Sequence, residues 1–203
     1  MSRKKEARRE QIFTMGAQLF AEKGYDRASL QELAERLGVT KPAIYYYYRS
    51  KEELLYAITT FVMDRVLADI TEIRQSALPP LEKLQELIRR YIGFFALHPS
   101  ELTLMSTEVD SLGSEYREEI IARQREYINQ ARGIVSDILG GVPGRHMHET
   151  SVVFALLGGM NWIFKWYDPQ GAIPPQALAD DFLKVFSTGL VGEVFNSKQN
   201  SEQ

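Results

Sequence analysis

Lys41, Tyr45, Tyr46 and Lys51 fall within an eleven-residue window that also holds Pro42 and Ser50. Ammonium groups and phenol hydroxyls donate hydrogen bonds to phosphate oxygens, and tyrosine rings rest well against thymine methyl groups. The chemistry offered is recognition of a polyanion rather than bond making. Catalysis would need a nucleophile with its base, a metal set or a phosphate loop. The chain has no cysteine, no Gly-rich Walker loop and only three histidines. His146 and His148 flank Met147 in a turn rich in Gly, Pro and Arg, at best a weak metal site. His98 precedes Pro99 and reads as a helix end, where a cation is welcome. No enzymatic activity, metal or cofactor is expected.

Helices must position these side chains. Periodicity predicts a first helix over about Lys5–Lys23, with Ile12, Gly16, Leu19 and Phe20 on one face and Gly24 as its stop. Ser29 with Glu32 forms a capping box for a second helix, whose stripe of Leu30, Leu33, Ala34 and Leu37 ends at Gly38. Val39 and Thr40 make the turn. Thr40 is placed to cap a short third helix over Lys41–Tyr48, with Pro42 in its first turn. Ser50 with Glu53 opens a long fourth helix. A helix, a glycine turn and a short helix make a helix-turn-helix pattern, in which the first braces the unit and the second enters the major groove. Leu33, Ala34, Leu37, Val39, Ile44 and Tyr48 are expected to hold the two together. Lys41, Pro42, Ala43, Tyr45 and Tyr46 then face outward. The alternative is a tyrosine-rich packing helix in an ordinary bundle.

Charge supports the polyanion reading. Residues 1–51 carry 11 Lys and Arg against 6 Asp and Glu, a net +5, while the remainder carries a net −8. The rest of the chain reads as amphipathic helices near 80–97, 100–111, 114–139, 149–167 and 175–195, giving about nine helices and no strands. The fold class is all-α. The polar tail Asn196–Gln203 is expected to be disordered. The basic N-terminus has no apolar run behind it, so no signal peptide is expected. The longest apolar run, Val152–Phe164, is broken only by Asn161 and is too short and Gly-rich to span a bilayer comfortably, so no membrane partner is expected. The lack of cysteine suits a reducing cytoplasm.

The segment Tyr25–Ala34, followed by Leu37–Leu55 with its Gly38, Thr40-Lys41-Pro42-Ala43, Tyr45-Tyr46 and Lys51, resembles the TetR-family DNA-binding domain. The likeness runs nearly unbroken over residues 10–55. It implies a bacterial, nucleoid-associated regulator of transcription, usually a repressor, acting as a homodimer on a palindromic double-stranded DNA operator. It also implies a domain boundary near residue 55, with ligand binding and dimerisation over 56–195. In that family the positions matching Thr40, Lys41, Pro42, Ala43, Tyr45 and Tyr46 face DNA, and the one matching Lys51 meets a phosphate. Two departures stand out. Tyr48 occupies a position that is usually Phe, so its hydroxyl needs a partner or solvent. Ala28 occupies one that is often Thr or Ser, which leaves Ser29 both to cap the helix and to touch the phosphate.

The body is less specific. The 149–167 segment is apolar almost all round and is expected to be buried on every side, which in a small bundle calls for a second subunit. Phe154, Leu157 and Gly158, with Phe182, Phe186 and Gly189 of the last helix, are the expected dimer interface. Arg123 lies on an apolar stripe between Ile120 and Tyr127. It either meets an anionic ligand group or pairs with Glu119 or Glu126. Trp162, Trp166 and Tyr167 either line a pocket near the end of their helix or belong to core and interface, and Tyr127 joins Arg123 as a candidate ligand residue. Glu101 and Glu108 sit on a helix that could also border the pocket, with no partner evident in the sequence. The stretch Asn161–Gly171 with Pro174-Pro175, and the Tyr116–Tyr127 segment, resemble TetR regulators that sense acyl-CoA thioesters in fatty-acid or steroid breakdown. The implied effector is a CoA thioester, and the alternative is a flat aromatic, drug-like molecule.

Overall fold

The computed structural model describes residues 3–140 and 147–191, with side chains as far as Thr188. The elements are α1 (Arg3–Lys23), α2 (Leu30–Arg36), α3 (Lys41–Tyr45), α4 (Lys51–Gln75), α5 (Pro80–Leu97), α6 (Pro99–Thr107), α7 (Ser114–Gly140), α8 (Glu149–Trp162) and α9 (Pro175–Val191). Short 3-10 turns follow α6 at Val109–Ser111 and α8 at Ile163–Lys165. No strand occurs among the described residues. The tail 196–203 lies outside them, as does His146.

The two predicted serine caps are present, with altered return bonds. Ser29 Oγ accepts the Glu32 N–H at 3.1 Å, but the Glu32 carboxylate turns outward to Lys23 at 2.6 Å instead of reaching back. Ser50 Oγ accepts the Glu53 N–H at 2.9 Å, while Glu53 takes the N–H of Arg49 at 2.6 Å. Thr40 precedes α3 without a side-chain cap. The regular helix α3 is therefore shorter than the expected 41–48 and runs out through turns, the N–H groups of Tyr47 and Tyr48 both bonding to the Ile44 carbonyl. The expected 100–111 helix is interrupted at Glu108, whose φ of −121° and ψ of 6° leave the helical region.

Gly24 and Gly38 have φ of 81° and 62°, the left-handed region that favours glycine. A Cβ at Gly38 would meet nothing within 4 Å, so a side chain there is opposed by backbone conformation alone. Gly38→Ala is expected to cost about 1–2 kcal/mol. A denaturation midpoint checks this, and Gly38→Asn should cost less.

The chain divides into two compact units. Met1–Arg65 with His98–Arg125 forms the first. Its core includes Ile12, Leu19, Phe20, Leu33, Ile44, Leu54, Leu55 and Ile58, all fully buried. Gly16 allows α1 to close on α4, since a Cβ there would lie 2.7 Å from Leu54 Cδ2. This unit extends well past residue 55, because α6 packs along α1. Carboxylates far apart in sequence hold it together. Glu108 accepts the N–H of Tyr25 at 3.3 Å, Glu52 that of Gly113 at 2.6 Å, and Glu119 the Tyr56 hydroxyl at 2.5 Å. The second unit, Val66–Leu97 with Glu126–Gln203, has α5 packed on α9 and α8, around Ile70, Ile73, Leu84 and Ile88. The helices α4 and α7 each contribute residues to both units.

Candidate nucleic-acid interface

One face of α3 is anchored and the other is bare. Ile44 is fully buried and Tyr48 is 2% exposed, alongside the equally buried Leu33 and Ala34 of α2. Lys41 and Pro42 are exposed, Tyr45 is 43% and Tyr46 67% exposed, and Ala43 is half-buried. Thr40 and Ser29 are also exposed. Apart from the half-buried Ala43, the outward set is the one the spacing predicts. Lys41 Nζ lies 5.8 Å from the Tyr45 ring centroid, so a cation and an aromatic edge are presented together. Tyr46 packs edge-on against Tyr47 at 5.0 Å.

Three flanking residues behave in ways the sequence left open. Tyr48 lies against Arg9 of α1, whose guanidinium sits 5.5 Å from the ring centroid. Burial raises this phenol's pKa and Arg9 opposes the shift. Ala28 is 4% exposed, so its methyl fills core space. Lys51 faces the α1–α2 turn. Its Nζ donates to the Asp26 carbonyl at 3.3 Å and lies 4.0 Å from the Tyr25 ring centroid. Partial burial lowers its pKa, while Asp26 and Glu108 pull the other way. In this conformation Lys51 braces the turn.

The structure does not gather the four expected ligand residues into one site. Arg123 is engaged by Asp64 and by Glu119, the latter at 2.6 Å, so its charge is already matched. Trp162 and Trp166 are 59% and 52% exposed and lie on the surface. Tyr127 alone is buried, and its hydroxyl has no hydrogen-bond partner among the described residues. Burial pushes its pKa far above the ordinary phenol range, with Tyr91 and Asp69 adding to the shift. Beside it, the buried Tyr91 donates to Asn161 Oδ1 at 2.5 Å. Tyr91 and Asn161 were not singled out from sequence, although Asn161 is the one polar break in the Val152–Phe164 run.

Other expectations resolve as follows. Glu101 is buried with His98 Nδ1 3.5 Å away, and Glu108 bonds Tyr25 and Ser111, so both are partnered within the first unit. On α8, Phe154 (54% exposed), Gly158 and Trp162 form an outward stripe, so this helix is not buried on every side of its own chain. Leu157 departs from that stripe. It is 5% exposed and packs into its own subunit, because its helical phase matches Val153 and Met160. Phe182 and Phe186 of α9 stack at 6.3 Å and are half-buried, with Phe182 set against Gly159. Gly189 lies in α9, past the last residue whose side-chain surroundings are described. No cluster able to hold a metal and no helix long and apolar enough to cross a membrane occurs among the described residues.

Comparison with known proteins agrees with this architecture. A family model described as bacterial regulatory proteins, tetR family, matches residues 12–58, and one for the tetracyclin repressor-like C-terminal domain matches residues 77–190. The HTH-type transcriptional repressor KstR2 of Mycobacterium tuberculosis is 23% identical, over 92% of this chain and 94% of that protein. A TetR-family regulator from Bordetella parapertussis superposes with a TM-score of 0.82 at 25% identity, over 88% of this chain and 93% of that one. AibR, crystallised with isovaleryl coenzyme A and operator DNA, superposes with a TM-score of 0.78 at 28% identity, over 91% and 98%. With an exposed α3 on a braced helix-turn-helix and family models matching both its N-terminal and C-terminal parts, the chain belongs to the tetR family of bacterial regulatory proteins.

Proposed function

We propose that the protein is a homodimeric transcriptional repressor that binds a palindromic operator through α3 and releases it when a small hydrophobic ligand, an acyl-CoA thioester of lipid breakdown, occupies the body. The observation that carries the DNA-binding reading is the bare face of α3 over a fully buried Ile44. Lys41 and Tyr45 read base edges, with Thr40, Pro42, Ala43 and Tyr46 alongside. Ser29 and the α1–α2 turn braced by Lys51 meet phosphates. Two α3 helices related by a two-fold axis would enter successive major grooves about 34 Å apart.

The outward stripe of Phe154 and Gly158, with Phe182 and Phe186, supports dimerisation through α8 and α9. The buried, unpartnered Tyr127 supports a ligand whose polar group completes the Tyr127, Tyr91 and Asn161 cluster. AibR, a structural relative that holds an acyl-CoA thioester, supports the ligand class. Release is a population shift bounded by the ligand's differential affinity for two conformations, typically about 1–3 kcal/mol.

Selection of duplexes from a random library, repeated with isovaleryl-CoA and with a long-chain acyl-CoA, tests the whole reading. An enriched palindrome that either thioester releases is the expected result. A palindrome indifferent to both removes the ligand assignment and leaves the operator. No enrichment at low salt removes the operator.

A further inference from the structure

α1 opens with Arg3-Lys4-Lys5-Glu6-Ala7-Arg8-Arg9, and its first turns run beside the end of α3. A groove of about 480 Å³ lies there, walled by Lys4, Lys5, Arg8 and Gln11 on one side and by Tyr46 and Tyr47 on the other. Lys5 Nζ sits 4.7 Å from the Tyr46 ring centroid, so the groove shares a wall with the outward face of α3. Elsewhere in the first unit, Arg36 and Arg123 spend their charge on carboxylates. Lys4, Lys5 and Arg8 have no carboxylate within ion-pair distance among the described residues, and Lys4 is exposed. Three unmatched cations in one concavity repel each other and concentrate anions.

From this placement we infer that the groove takes the phosphodiester backbone flanking the base pairs read by α3, lengthening the DNA contact beyond the helix-turn-helix. The inference rests on the operator-binding reading above and assigns it a second, sequence-blind surface. A duplex seated on Tyr45 and Tyr46 brings a strand past Tyr46, whose other face is the groove wall. Lysine and arginine at this spacing neutralise phosphates without distinguishing bases. The contact therefore adds affinity and salt sensitivity, not specificity.

Each neutralised phosphate contributes about 0.9 to the slope of log K against log salt concentration. The triple variant Lys4→Gln, Lys5→Gln, Arg8→Gln in the full chain should flatten that slope by about 5 for a dimer. Operator and random duplex should be affected alike. Gln11→Lys, which adds a cation to the same groove, should steepen the slope by roughly 2 per dimer. Damage to the fold cannot produce that gain. Lys184→Gln in the second unit is the unaffected control. Wild-type slopes in both groove variants overturn the proposal. A loss confined to the operator also overturns it, because the residues would then act by positioning Tyr46. Failure of the wild-type chain to bind any duplex at low salt overturns the operator reading itself, and the wild-type curve alone shows it.

Discussion

Lys41→Ala and Tyr45→Ala should each weaken binding to the selected operator by roughly 5- to 150-fold, corresponding to about 1–3 kcal/mol, while random duplex is held within a few-fold of wild type. The asymmetry follows from where the two side chains stand. Both are exposed on α3, whose one buried residue, Ile44, lies on its other face, with the buried Tyr48 in the turn that follows. Truncating Lys41 or Tyr45 removes exposed groups, proposed above to read base edges, without opening the core. Ile44→Ala is the contrasting case. A fully buried isoleucine cut to alanine costs about 2–5 kcal/mol of stability, so binding to every sequence should fall with the folded fraction. Equal losses on operator and random DNA for Lys41→Ala and Tyr45→Ala, at unchanged stability, would remove α3 as the reader.

Tyr127→Phe should make the protein more stable and less responsive. A buried hydroxyl without a partner costs about 1–3 kcal/mol, and Tyr127 Oη is such a group. For a chain of this size each kcal/mol moves Tm by roughly 2–4 °C, so a rise of several degrees is expected. The same change at Tyr91 should act in the opposite direction, since it deletes a bond of 2.5 Å to Asn161 and costs about 1 kcal/mol. If Tyr127 is kept for a ligand, Tyr127→Phe also raises the effector concentration needed to free the operator, by about tenfold for each 1.4 kcal/mol lost. A stabilised variant with wild-type release would show that the hydroxyl serves no ligand. A destabilised variant would show that it is satisfied in solution.

The DNA-facing unit is the most legible part of the sequence because its signals are local. Caps, glycine stops and the period of Leu30, Leu33 and Ala34 act over three or four residues, and they place α1 to α3 closely. Ion pairing was half legible. Glu119 stands one turn before Arg123 and was a named alternative, whereas Asp64 comes from a different helix and leaves no local mark. The same holds for Glu108 with Tyr25 and Glu52 with Gly113, separated by 83 and 61 positions. Those bonds join parts of the first unit on either side of residue 55. Leu157 shows the remaining limit. In a helix that is apolar almost all round, periodicity cannot tell which face meets its own core and which is left outside.

Both tryptophans of the chain, Trp162 and Trp166, stand in the second unit and are more than half exposed, while the run Tyr45–Tyr48 stands in the first. Indole is therefore confined to the second unit, whereas tyrosines stand in both, seven of the ten in the first. Emission excited at the red edge, where only indole absorbs, reports the second unit alone. Tyrosine emission comes from both units and is weighted toward the first. Effector and operator titrations can then be followed by two colours on one unlabelled sample. The factor by which each ligand alters the affinity of the other must agree between them, since that coupling is reciprocal.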